Sequence, residues 1–236
     1  MRLLGLLLVL TAHSMALAMP LSPFTLDMQA IQYGFIDVKA NGQLTLQETG
    51  NQWTARLDAR AAIGKQQEQA IFNWQNNQIT PLRYDALTQL TFIKEEKSYQ
   101  FSEQWIEGTV NGDAFRTANR NTLDPLTSML HMGQQLRLGK TEWQQQRITW
   151  NSSKAEAYRV ARAGLMNTKV GKLSVTLVEQ TQGNRGNEKN YYWFANDYGY
   201  IPVRWRREVD NKITYEVLLQ SGNYAGEPIV GATADQ

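Results

Sequence analysis

Apolar and polar residues alternate along this chain from Phe24 to Leu219, and that alternation limits the fold more than any other feature. Successive side chains of a strand point to opposite faces of its sheet, so a period of two marks a strand with one buried and one wet face. The clearest run is Trp53, Ala55, Leu57, Ala59 and Ala61, with Thr54, Arg56, Asp58 and Arg60 between them. Others are Phe24/Leu26/Met28/Ala30, Leu82/Tyr84/Ala86/Thr88/Leu90/Phe92, Tyr99/Phe101/Glu103/Trp105, Ile201/Val203/Trp205 and Ile213/Tyr215/Val217/Leu219. Short polar turn signals separate them, among them Thr49-Gly50-Asn51, Asn76-Asn77, Asn111-Gly112-Asp113 and Asp210-Asn211. Many strands joined by short turns predict an antiparallel meander.

Asn41-Gly42 has the look of a two-residue hairpin turn, but that turn would set Val38 opposite Thr45 and Lys39 opposite Leu44. The apolar phase instead runs unbroken through Ile36, Val38, Ala40, Gly42, Leu44 and Leu46. One long strand bent at Gly42 keeps every apolar residue on one face, and such bends curl a sheet toward a barrel. A single helix is predicted after Asp124, a good capping acceptor, with Pro125 at the first helical position, where a missing N–H costs nothing. Leu126, Met129 and Leu130 follow at helical spacing, and Gly139 ends the pattern. The expected fold is therefore mainly β: a large curved antiparallel sheet, an open or closed barrel-like form, with one short helix on its concave side.

Both ends of the chain read differently. Arg2, an apolar run from Leu3 to Leu10 and the small residues Ala16 and Ala18 form a secretory leader, too short to span a bilayer. Cleavage near Ala18 predicts export to the bacterial periplasm, with no transmembrane segment in the mature chain. Residues 19–224 are expected to form one β-rich domain. Residues 225–236, with Gly226, Pro228 and Gly231, are expected to be a flexible tail.

Chemistry is sparse. The chain has no cysteine, which removes disulfides, thiol nucleophiles and cysteine-based metal sites, and beyond the leader only His131 could supply an imidazole. No nucleophile elbow, phosphate cradle or calcium loop occurs, so no catalytic residue, metal or cofactor is predicted. A net charge of +2 leaves no basic footprint for nucleic acid. What remains is a set of residues that share the inward phase: Leu57, Phe72, Trp74, Tyr84, Leu90, Phe101, Trp105, Trp205, Tyr215 and Val217, with Glu103 and Arg207 as polar members.

Two stretches resemble a known family. Thr122 to Leu130, with Asp124-Pro125-Leu126 at its heart, is similar to a helix start in the bacterial envelope family known as domain of unknown function 3108. Tyr192 to Asp197, followed by Ile201-Pro202-Val203-Arg204, resembles that family's closing hairpin. The long strand with Gly42, and Ile79 to Tyr84, are similar to its first half, so the resemblance spans Phe24 to Gln220. It implies a secreted curved β structure, similar in outline to the carriers that escort lipoproteins across the periplasm, and it implies no catalytic residue. Gly42, Asp124, Pro125, Trp193, Asp197 and Pro202 are the shared positions, and each reads as structural.

Three functions are expected in descending order. The first is a non-enzymatic carrier that holds a hydrophobic or lipid-like ligand inside the curved sheet, lined by the inward set above. The second is an envelope scaffold that binds a glycan or partner protein through exposed aromatics and arginines between Tyr191 and Arg207. The third is a glycan hydrolase built on two facing carboxylates.

Overall fold

The computed structural model describes residues 21–233; the leader and the last three residues of the expected tail lie outside them. The first half of the chain forms β1 (Phe24–Gln32), β2 (Val38–Thr49), β3 (Gln52–Ala61), β4 (Gly64–Gln75), β5 (Gln78–Leu90), β6 (Ile93–Phe101), β7 (Trp105–Val110) and β8 (Asp113–Ala118). The short β9 (Thr122–Leu123) leads into helix α1 (Pro125–Arg137). The second half forms β10 (Glu142–Thr149), β11 (Ser152–Thr168), β12 (Gly171–Gln182), β13 (Glu188–Ala195), β14 (Ile201–Val209), β15 (Lys212–Tyr224) and β16 (Glu227–Pro228).

All sixteen strands belong to one sheet. Its order, β8-β7-β6-β5-β4-β3-β2-β1-β15-β14-β13-β12-β11-β10-β9 with β16 beside β15, is two meanders joined where β1 pairs with β15. Every pairing is antiparallel except β9 with β10. The sheet curls until β8 touches β11 and β5 touches β9, yet no ladder joins its two margins. It is an open, barrel-like sheet.

The reason it curls is visible at Gly42. Strand β2 runs through this residue without interruption, and Gly42 pairs with Met28 on one side and Ala59 on the other. A Cβ added there would sit 2.7 Å from the Ala59 Cβ and 2.9 Å from the Asp58 carbonyl oxygen. Only a residue without a side chain lets the strands close up this far on the concave side.

Helix α1 begins as the sequence predicts. The Asp124 carboxylate accepts from the backbone N–H groups of Leu126 (2.9 Å) and Thr127 (3.0 Å), and the Thr127 hydroxyl oxygen accepts from the Asp124 N–H (3.0 Å). Gly139, with φ of 70°, ends it, and its N–H donates to the Leu136 carbonyl. The helix touches β3, β4 and β5 on one side and β9, β10 and β14 on the other, so it lies across the concave face. Leu126 and Leu130 join the core around Phe24, Leu46, Trp53 and Phe72; Met132 and Leu136 pack with Trp143, Tyr158, Val178 and Phe194.

Two expectations need correction. Residues 225–233 are docked: β16 pairs with Asn223 and Tyr224, Ile229 is 3% exposed, and Ala232 pairs with Lys172. Gly and Pro here shape a tight return, and buried Ile229 holds it down. Strict alternation also breaks where bulges insert a residue. One falls between Ile71 and Phe72 opposite Leu82, another between Trp193 and Phe194 opposite Val203.

Candidate functional site

The helix fills only one end of the trough. Toward the other end a cavity of about 470 Å³ remains between α1 and the tipward halves of the strands. Its apolar wall includes Met28, Leu44, Leu57, Met129, Met132 and Val217. Along the second half of the sheet its wall carries a row of aromatic rings: Tyr158 meets Tyr192 edge-on, Tyr192 stacks on Trp205 at 6.1 Å, and Trp205 meets Tyr215 at 4.9 Å, while Trp143, in the core behind, stacks on Tyr158. Such contacts add to ordinary burial and hold the rings in place.

Polar groups are set into this wall. Glu156, 2% exposed, accepts from Arg147 Nε (2.8 Å) and Nη2 (2.6 Å) and from the Tyr158 hydroxyl (2.7 Å). On the facing half Glu68 accepts from the Tyr84 hydroxyl at 2.7 Å. The wall carries six cations, Lys97, Arg147, Lys154, Arg185, Arg204 and Arg207, against three carboxylates, Glu68, Glu156 and Glu188. Arg204 turns to Glu216 and Arg147 is matched by Glu156, whereas the buried Nε of Arg207 has no hydrogen-bond partner among the described residues. The Arg207 guanidinium lies 5.7 Å from the centre of the Tyr215 ring, at the wall of the cavity. The cavity is thus apolar along its length and cationic in balance. Among the described residues no three His, Asp or Glu side chains converge in the manner of a metal site.

The structure divides the inward set. Leu57, Tyr84, Trp205, Arg207, Tyr215 and Val217 line the cavity, as do Gly42, Pro125 and Pro202. Phe72, fully buried, and Trp74, beneath the Arg137 guanidinium at 5.4 Å, lie at the helix end of the trough instead. Leu90 sits at a hairpin tip and is 36% exposed, and Phe101 packs on the core at the end of β6. Glu103 falls in the exposed turn between β6 and β7, and that turn resets the phase so that Trp105 is 38% exposed under Arg116.

The expected exposed platform at 191–207 is also corrected. Trp193 is 7% exposed, with the Arg204 and Arg206 guanidiniums 4.8 and 5.6 Å from its ring centre, and both arginines donate to Glu216. Tyr192 and Trp205 face the cavity. Asp197 lies within the short 3-10 turn Asn196–Tyr198, which ends at Gly199 with φ of 62°. Sequence reasoning missed Glu68, Lys97, Arg147, Glu156 and Asn190. The phase of their strands carries the signal: Glu68 is in step with Ala70 and Phe72, Glu156 with Tyr158, and Asn190 with Tyr192.

Two titratable groups of the helix, the buried Asp124 and the half-buried His131, set a pH dependence. Burial pushes the Asp124 carboxyl up to about 6, against the lowering pull of the Thr127 and Leu126 donors. Burial also pushes His131 down to about 4. The native state binds the Asp124 proton more readily than the unfolded chain, so that contribution to stability is lost as pH rises from about 4 to about 6. The native state resists the His131 proton, so its contribution is lost as pH falls from 6.5 toward 4. The two slopes oppose each other, each on the order of 1 kcal/mol per pH unit. Urea unfolding across this window is expected to give a nearly level stability for the native chain. Asp124→Asn, a good cap itself, is expected to lose stability toward low pH, and His131→Gln to gain it. Parallel profiles for all three proteins would contradict these assignments.

Residues 29–217 match a family described as "Protein of unknown function (DUF3108)". Among solved structures, the chain is similar to a beta-barrel-like protein of domain of unknown function DUF1849 from Brucella abortus, with a TM-score of 0.60 and 9% identity, covering 86% of this chain and 98% of that one. At that identity the likeness is one of fold. Among curated proteins no relative matches the sequence. No helix among the described residues is long and apolar enough to cross a membrane.

Proposed function

The chain belongs to the DUF3108 family, a family of unknown function, and we propose from its geometry that it is a non-enzymatic carrier of an amphiphile with an acidic end. One observation carries this reading: a cavity of about 470 Å³ whose walls are mostly apolar and aromatic, with Arg207 on its wall, whose buried Nε has no hydrogen-bond partner among the described residues. That volume lies within the range of roughly 300–1,000 Å³ of small-molecule sites. An unpaired buried donor costs free energy until an acceptor arrives, and a carboxylate or phosphate oxygen meets it with a charge-assisted bond. The apolar part of the ligand then lies against Leu57, Met129 and Val217. The proposed compartment is the bacterial periplasm, reached through the leader at residues 1–18.

The test is titration with a dansylated undecanoic acid and with the corresponding alcohol, followed by fluorescence. The acid is expected to bind more tightly. Arg207→Gln is expected to weaken the acid by about tenfold to a hundredfold, the worth of one charged hydrogen bond, and to leave the alcohol nearly unchanged. Leu57→Trp, which places a large ring in the cavity, is expected to abolish both. If neither probe binds, the carrier reading fails; if Arg207→Gln weakens both equally, the acidic end is wrong.

A further inference from the structure

The hairpin tips that ring the far end of the cavity carry large apolar side chains that nothing in the fold covers. Phe35 is 105% exposed, Phe92 97%, Ile36 77% and Ile93 62%. Ile63 and Trp150 are each 45% exposed. A polar residue would serve each tip as well for folding, and soluble domains seldom gather exposed aromatic and β-branched residues in one place.

The pairing register shows that they are gathered. Ala61 pairs with Gly64, Gly64 with Leu90 and Leu90 with Ile93, so the β3–β4 and β5–β6 tips close in one cross-strand row. The Thr91 N–H donates to the Ile63 carbonyl at 2.9 Å and ties the two tips directly. The β1–β2 loop with Phe35 is the next tip along the same margin, since Ala40 pairs with Ala61. Strands lie about 4.8 Å apart, so neighbouring tips are about 10 Å from one another. Trp150 stands across the seam of the open sheet, with Lys97 Nζ 4.9 Å from its ring centre.

The cavity opens at this same end. Lys97, Trp150, Lys154 and Arg185, which belong to its wall, are tip or near-tip residues, and Trp150, Lys154 and Arg185 are exposed. The opposite end is stopped by α1. We propose that this rim docks onto the surface of an anionic lipid bilayer, the apolar tips entering the interface and the cavity mouth facing the lipid. Charge selects a bilayer over a protein groove. Lys39, Lys65, Lys154 and Arg185 make no ion pair among the described residues, while Glu95 and Glu96 are matched by Lys97 and Lys94. Asp37, Asp113, Glu188 and Asp210 remain as counter-charges at the rim, where Lys189 and Lys212 are two further cations without an ion pair among the described residues. Cations close to an anionic leaflet strengthen interfacial binding that buried aromatic side chains initiate. What docking achieves, exchange of the amphiphile without passage through water, rests on the carrier reading; the docking itself rests on the tips.

The experiment is flotation of the chain with phosphatidylcholine vesicles, with and without phosphatidylglycerol. The chain is expected to float with the phosphatidylglycerol vesicles and only weakly with pure phosphatidylcholine. Phe35→Ser with Phe92→Ser is expected to lower that binding by at least about tenfold, because two exposed rings no longer enter the interface. Both side chains are outside the core, so thermal unfolding and titration with the dansylated acid should be unchanged in this variant. Leu57→Trp is expected to lose the probe and still float, which separates failure of the carrier reading from failure of this one. Absence of flotation by the native chain, or equal flotation by the double variant, overturns the proposal.

Discussion

Glu156→Ala is expected to lower the free energy of unfolding by about 3 kcal/mol. The carboxylate is 2% exposed and accepts three hydrogen bonds, two from Arg147 and one from the Tyr158 hydroxyl. Truncation leaves both donors facing a gap in the cavity wall. Removing one partner of a buried pair costs roughly 3–5 kcal/mol, and the low end applies here because the Arg147 side chain keeps 30% of its exposure. Urea denaturation is the measurement. Glu179→Ala, which breaks the surface pair with Arg159 (side chains 27% and 54% exposed), serves as the contrast and is expected to cost less than about 1 kcal/mol. Equal losses at the two sites would mean that Glu156 is not part of an ordered interior.

Gly42→Val is expected to cost a similar amount, about 3 kcal/mol, at the upper end of what an overpacked site loses. The new Cβ would meet the Ala59 Cβ at 2.7 Å, the Ala59 Cα at 2.9 Å and the Asp58 carbonyl at 2.9 Å. Two of these three atoms are backbone, so no rotamer change relieves the contact, and β2 and β3 must move apart. Because Gly42 lies on the cavity wall, the same change is expected to weaken probe binding. Gly50→Ala is the control for a glycine lost without a clash, since no atom lies within 4 Å of its added Cβ, although φ of 61° strains it. A Gly42→Val protein as stable as the native chain would show that the curl does not depend on this residue.

Much of the fold is legible in the sequence because the sheet has one wet face over most of its length. Period two marks β3 outright, the unbroken apolar phase marks β2 as one strand through Gly42, and Asp124-Pro125 marks the helix start. The site is only half legible, and the reasons are local. Phase says which face a residue takes; it does not say how far along the trough the helix reaches. Phe72 and Trp74 share the phase of Glu68 but lie at the helix end, beyond the cavity. Bulges and turns then shift the phase itself. The turn before Trp105 sends that ring outward, whereas on β14 the bulge at Val203 keeps Pro202 and Trp205 on the cavity wall. Trp193, Arg204 and Arg206 have the composition of a binding platform, but a single acceptor, Glu216 on the neighbouring strand, holds both arginines and turns them to the fold's own use. That partner is 10 to 12 residues away in sequence and adjacent only after β14 and β15 pair.

The tail shows the same limit. Gly226, Pro228 and Gly231 read as disorder by composition, yet Ile229 finds a buried place beside Gly222, to whose carbonyl its N–H donates at 2.9 Å. The buried Ile229 side chain and the pairings of β16 and Ala232 decide the outcome.

Native mass spectrometry of the chain isolated gently from the cells that make it, before and after organic extraction, tests the carrier reading most directly. A stoichiometric adduct that is removed by extraction and that carries an acidic group is expected. A clean apo mass both times, together with no binding of the dansylated acid, would contradict it.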